Sequence, residues 1–181
     1  MSEVLMRTTD FRPEAQRAME YLVNRFGDLM HLGALQEAKV VCVDKVGGVR
    51  APRVPSTGRG LTLPAHGSAI GKALLAHCPR EEVTLYFREH IPALTPNTIT
   101  SLDVLHEDLT VVRERGFALD LEEMMLGLCC VAAPIRDRTG EVVAAMSFSV
   151  PAYRFEQGRD RYVAAIVQAS HSVSENIGYF S

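Results

Sequence analysis

Tryptophan is absent from this 181-residue chain. Also absent is any apolar run approaching the roughly 18 residues that a membrane-spanning helix needs, and the opening "MSEVLMRTTD" is not that of a signal peptide. No membrane partner is therefore expected. No stretch is low in complexity or visibly repeated. Cysteine is scarce: Cys42, Cys78, Cys129 and Cys130, the last two adjacent and none in a disulfide-framework spacing. Reduced thiols in a cytoplasmic protein fit that pattern. Excess positive charge is missing too. The formal charge is −3, so the overall balance does not draw the chain to nucleic acid or an anionic membrane. What is present is apolar: 47% of the residues are hydrophobic, enough to bury a core in a single domain spanning residues 1–181.

Periodicity and punctuation divide the chain. A helix is predicted from Pro13 to Phe26, with Ala15, Ala18, Met19, Leu22, Val23 and Phe26 on one stripe and Gly27 as its C-terminal cap. "LMHLGAL" and "VVCVDKV", joined by "QEAK", read as an antiparallel hairpin. A loop, "GGVRAPRVPSTGRG", follows and ends in "LTLP". "AHGSAIGKALLAHCP" is a short helix that Ser68 can cap, and "REEVTLYFREH" is a second, with Glu81 and Glu82 in its first turn. After the loop "IPALTPNTIT", Ser101 can cap a helix striped by Leu102, Leu105, Leu109 and Val112 and stopped by Gly116. Strands are expected around "GFALD", from Leu128 to Arg136 and from Glu141 to Val150, and a last helix from about Glu156 to Ile177. Strands in hairpins with interspersed helices, and no βαβ alternation, predict an α+β domain with one antiparallel sheet.

The stretch "LCCVAAPIRDRTGEVVAAMSFS" carries the first candidate site. If Arg136 pairs with Glu141 across the turn, Cys130 lies opposite Ser147 and Leu128 opposite Ser149. Opposing residues share a face, so Leu128, Cys130, Ala132, Ala145, Ser147 and Ser149 point one way. Cys129, Val131, Ala133, Ile135, Met146, Phe148 and Val150 point the other, into plain core. Small side chains with two hydroxyls and a thiol suit the floor of a pocket for a small polar ligand. The plainer alternative has the serines facing solvent and Cys130 as a small hydrophobe. A second candidate is the start of "SAIGKALLA", where uncovered amides and the helix dipole suit a carboxylate or phosphate. Gly71 inside that helix implies close packing or a close approach. It is not a phosphate-binding P-loop, since Ala73 follows Lys72. Third, Asp120, Glu122 and Glu123 form an acidic run near a strand edge, read as solvated charge.

The stretches "LPAHGSAIGKALLA", "TPNTIT" and "VRERGFALDLEEMMLGLCCVAAPIRDRTGEVVAAMSFSVP", with the closing helix, resemble the C-terminal effector-binding domain of the IclR family of bacterial transcriptional regulators. The likeness runs from about Pro13 to Gly178. It implies a GAF-like α+β fold, a curved antiparallel sheet flanked by helices, with a cavity for a small organic acid or aromatic catabolite. It implies that the ligand carboxylate meets the amides of Ala69 and Ile70. It also carries ligand-binding roles over to Asp120, Leu128, Cys130, Ser147 and Ser149. Homodimers or homotetramers, and DNA contact through an N-terminal winged helix-turn-helix, belong to the same implication. This chain is expected to have no room for that module ahead of Pro13. The loops "RVPSTGRGLTL" and "IPALTPNTIT" are expected to rim the pocket. No cofactor is expected.

Two other classes stand beside the sensor. A hydrolase or transferase could use Cys130 or Cys129 as nucleophile, but needs a nearby base. Only His66 sits in a motif, while His31, His77, His90, His106 and His171 read as surface residues. A metal site from His66, Cys130 and Asp120 lacks paired-ligand spacing. A purely structural dimerisation module would have a sealed core.

Overall fold

The computed structural model describes residues 11–54 and 58–180. The opening ten residues, expected to carry no signal peptide, and residues 55–57 of the first rim loop lie outside the described residues. The chain runs α1 (Arg12–Phe26), β1 (Leu29–Gln36), β2 (Lys39–Gly47), β3 (Thr62–Pro64), α2 (Ala69–Leu75), α3 (Arg80–Phe87), α4 (Leu102–Arg115), β4 (Ala118–Leu121), β5 (Leu128–Arg136), β6 (Val142–Pro151) and α5 (Ala152–Asn176). The caps are those the sequence offers. Gly27 and Gly116 close α1 and α4 in the left-handed conformation that glycine adopts at little cost. Ser68 and Ser101 accept first-turn amides with their side chains. Two elements differ from expectation. β3 is too short for its alternation to show in sequence. α5 begins at Ala152 rather than near Glu156, because Gly158 leaves helical geometry (φ −128°, ψ 18°) and masks the turn before it.

The strands form one curled antiparallel sheet in the order β3-β2-β1-β6-β5-β4, which confirms the α+β class. The β5–β6 register corrects the expected pairing. Cys130 faces Ser149, Ser147 faces Ala132, and Leu128 faces Pro151. Arg136 pairs with Val142 rather than Glu141, and a bulge between Ile135 and Arg136 adds a second single-residue offset. One offset would have swapped the faces; two restore them. So Cys129, Val131, Ala133, Ile135, Met146, Phe148 and Val150 do fill one core, with residues of α1 and α5. Leu128, Cys130, Ala132 and Ala145 join a second one, with α2, α3 and α4. The sheet is thus covered on both faces. Gly71 makes the expected close approach: an added Cβ would stand 2.0 Å from the carbonyl oxygen of Ala65.

Candidate functional site

The second core is where the polar residues lie. Across the strands, Asp120 pairs with Cys130 and Cys130 with Ser149; one step along, His31 pairs with Ser147 and Ser147 with Ala132. All are buried: Asp120 is 1% exposed, Ser147 and Ser149 3% each. The Ser149 hydroxyl lies 3.4 Å from Cys130 Sγ and 3.4 Å from His31 Nδ1. Asp120 Oδ1 accepts the amides of Glu123 (2.8 Å) and Met124 (3.2 Å). Burial pushes the Asp120 carboxyl up to about 7; those amides and Lys72 oppose the shift, and the Glu123 charge adds to it. At neutral pH the group therefore stands where it can hold or give a proton.

α2 lies over this row. Its start packs on Gly33 of β1, where an added Cβ would come 3.0 Å from Ile70 Cγ2. Ser68 Oγ accepts the Gly71 amide at 3.1 Å. The helix itself offers no acceptor to the first-turn amides of Ala69 and Ile70, both buried residues. Orientation of α2 is fixed by Lys72, which is 1% exposed. Its ammonium sits 2.9 Å from both carboxylate oxygens of Glu123 and 3.0 Å from Asp108 on α4. A buried ammonium left unpaired is costly, so these carboxylates hold α2 against α4 and the β4–β5 turn. The loop "IPALTPNTIT" closes on the same turn. Thr98 and Thr95 donate to the carbonyls of Glu123 and Glu122, both at 2.6 Å. Leu94 packs where a Cβ on Gly67 would be, at 2.8 Å.

Several expectations are corrected here. Asp120 and Glu123 are not solvated charge; only Glu122 of that run remains partly exposed. His31 and His106 are not surface residues, being 5% and 6% exposed. Ser147 does not oppose Cys130, although it shares its face. His31 and Lys72 were missed as buried neighbours of the candidate residues. A signal existed for both. "LMHLGAL" is apolar on both faces, the mark of a central strand, and Lys72 is the one charge in an otherwise small and apolar helix. All seven candidates, Ala69, Ile70, Asp120, Leu128, Cys130, Ser147 and Ser149, are buried around α2 and its facing strands.

The thiols do not suit nucleophilic catalysis. Burial pushes Cys130 well above the ordinary thiol range and Cys129 up to about 11, so neither is a thiolate at neutral pH. His66 Nε2 lies 2.8 Å from the carbonyl of Pro92 instead of a sulfur. Among the described residues no group of three or more His, Cys, Asp or Glu is placed to hold a metal. Nor is any described helix long and apolar enough to cross a membrane.

A curled antiparallel sheet covered by helices on both faces is a fold that solved domains of transcriptional regulators share. The C-terminal domain of the Escherichia coli transcriptional regulator KdgR superposes with a TM-score of 0.83 at 36% identity, covering 94% of this chain and all of that one. An inducer-binding domain of PobR from Acinetobacter, a double mutant in complex with 3-hydroxybenzoic acid, superposes with a TM-score of 0.79 at 25% identity, covering 88% and 95%. In sequence, the regulator KdgR of Dickeya chrysanthemi is 36% identical over 176 residues, which is 96% of this chain and 57% of that protein. The family described as "Bacterial transcriptional regulator IclR C-terminal" matches residues 4–175. The chain belongs to that family. It spans less than two thirds of the length of the KdgR protein, and its relatives are named as regulators rather than enzymes.

Proposed function

We propose that residues 1–181 form one effector-binding domain of a cytoplasmic transcriptional regulator, sensing a small organic or aromatic acid. One observation carries this reading: two serine hydroxyls and a carboxyl of raised pKa are buried on a face of small residues, beneath the start of α2. A core designed only for stability gains little from two such hydroxyls, whereas Asp120 also holds the β4–β5 turn through the amides of Glu123 and Met124. The ligand carboxylate sits on the amides of Ala69 and Ile70. Ser147 and Ser149 donate to the ligand's oxygens, Leu128 and Cys130 line the side, and protonated Asp120 donates to a carbonyl or hydroxyl. The 3-hydroxybenzoic acid complex of the PobR domain supports an aromatic acid as one ligand type. Binding biases the domain between states of different subunit geometry in a homodimer or homotetramer. That bias is transmitted to DNA through an N-terminal winged helix-turn-helix, to the extent that the ligand prefers one state.

Calorimetry with a panel of small keto, hydroxy and aromatic acids tests the reading. At least one acid should bind, and Ser147→Ala/Ser149→Ala should weaken it about tenfold or more, the worth of roughly one to two hydrogen bonds to a charged group. Equal affinity in both proteins sinks the site.

A further inference from the structure

One ring nitrogen in this interior has no partner. His31 stands on β1 opposite Ser147, 5% exposed, and its Nε2 is shielded from solvent without a hydrogen bond among the described residues. Buried polar atoms are rarely left so without a reason. The other nitrogen is engaged: Nδ1 lies 3.4 Å from Ser149 Oγ, which lies 3.4 Å from Cys130 Sγ. The hydroxyl has one proton to give. Sulfur is a weak acceptor and imidazole nitrogen a strong one, so the better pairing sends that proton to Nδ1 and takes the thiol's on Oγ. Burial, aided by the nearby Lys45 cation, lowers the ring's pKa to about 4 and keeps it neutral. Its single proton then sits on Nε2.

We infer that Nε2–H of His31 is a donor of the effector pocket, and that the effector is a bifunctional acid whose second acceptor, a hydroxyl, keto or carboxylate oxygen, it binds. This rests on the pocket reading above. Spacing supports it. The start of α2 packs on Gly33, and His31 lies two residues away on the same strand and face. Two strand residues span about 7 Å, the order of the separation between the carboxylate and hydroxyl oxygens of a hydroxybenzoate. A simple monoacid would satisfy the amides and leave the imidazole unpaired.

The test uses the chain, His31→Leu, His31→Gln and Ser147→Ala/Ser149→Ala, titrated with 3-hydroxybenzoate, benzoate, pyruvate and propionate. The chain should bind at least one acid with a second acceptor about tenfold tighter than its simple partner, a difference of one good hydrogen bond. His31→Leu should abolish that ratio, and His31→Gln, which keeps an N–H near the Nε2 position, should restore part of it. Imidazole nitrogen NMR of the free chain should show a protonated Nε2 and a bare Nδ1. A proton on Nδ1 overturns the inference. So does an unchanged ratio in a His31→Leu protein that is folded by circular dichroism. Loss of binding in the serine variant with no change at His31 fails this inference alone. No binding by any of the four acids, or binding indifferent to the serines, removes the pocket reading and this inference with it.

Discussion

Cys130 and Val131 are consecutive residues of β5 that end in different interiors. Val131 faces α1 and α5 among large apolar side chains. There Phe148 lies 5.1 Å from Phe26 and 5.2 Å from Tyr162, centroid to centroid, in tilted contacts that aromatic rings favour. On that side Tyr162 donates to Asp28 at 2.6 Å, and Ser170 to the carbonyl of Ala133 at 3.2 Å. Cys130 faces α2 among alanines, with Asp120, Lys72, Glu123, His31, Ser147 and Ser149 buried nearby. Burying such groups costs free energy that close packing on the same face does not return. One pair of strands therefore serves two ends: its outer-helix face holds the domain together, and its inner face, on the proposed reading, gives up stability for recognition.

The largest expected effect falls on the first face. Phe148→Ala should lower the unfolding free energy by about 3–5 kcal/mol, the range for a fully buried aromatic, and leave the order of preference among acids unchanged. Urea unfolding and calorimetry measure the two. A cost no greater than that of Ser147→Ala would erase the contrast between the faces. Next comes Lys72→Met, expected to cost about 3 kcal/mol because it leaves Glu123 buried without its cation. Adding Glu123→Leu should recover part of that loss. Asp108 is 27% exposed at its side chain and keeps some solvation. Failure of the second change to recover any stability would show that the pair acts through something other than mutual neutralisation.

The first face was legible in sequence and the second only in outline. Heptad-like stripes and strand alternation place Met19, Phe26, Val131 and Phe148 in a core because burial of large apolar groups is what those periods encode. The alternation also set Cys130 and Ser147 on one face, though the turn hid two offsets that cancel. Asp120, Glu123, Lys72 and His31 could not be located by polarity, because polarity predicts exposure. Their burial depends on partners tens of residues away: Lys72 meets Glu123 across 51 positions, and His31 meets Ser149 across 118. β3 left no trace, since three residues carry no period.

Proton linkage offers a sharper contrast within the second face. Asp120 has an ordinary value of 3.8 and is raised to about 7 in the fold. Between roughly pH 4 and 7 the unfolded chain releases a proton that the folded chain keeps, so its contribution to stability falls as pH rises. His31 runs the other way. Lowered from 6.5 to about 4, it makes the unfolded chain take up a proton that the folded chain refuses, and its contribution falls as pH falls. The two slopes oppose each other between pH 4 and 6.5 and mask each other in the parent protein. Relative to the parent, Asp120→Asn should gain stability as pH rises from 4 to 7, and His31→Gln should gain it as pH falls from 6.5 to 4. Urea midpoints across that range decide. An Asp120→Asn profile parallel to the parent's would mean that the carboxyl is solvated.

The smallest effect on stability should come from Ser147→Ala/Ser149→Ala. Each hydroxyl lost removes at most about 1 kcal/mol of net hydrogen bonding, and among the described residues Ser149 has two long partners to lose, at 3.4 Å each. Alanine fits where serine did, so no cavity forms. If the inner face existed for packing alone, this double change would be nearly silent in every measurement. If it exists for recognition, the urea midpoint should barely move while acid binding weakens about tenfold or more. The same substitution thus separates the two faces by what it leaves intact: a stable fold that has lost its ligand would be the converse of Phe148→Ala, a weakened fold that keeps its preference.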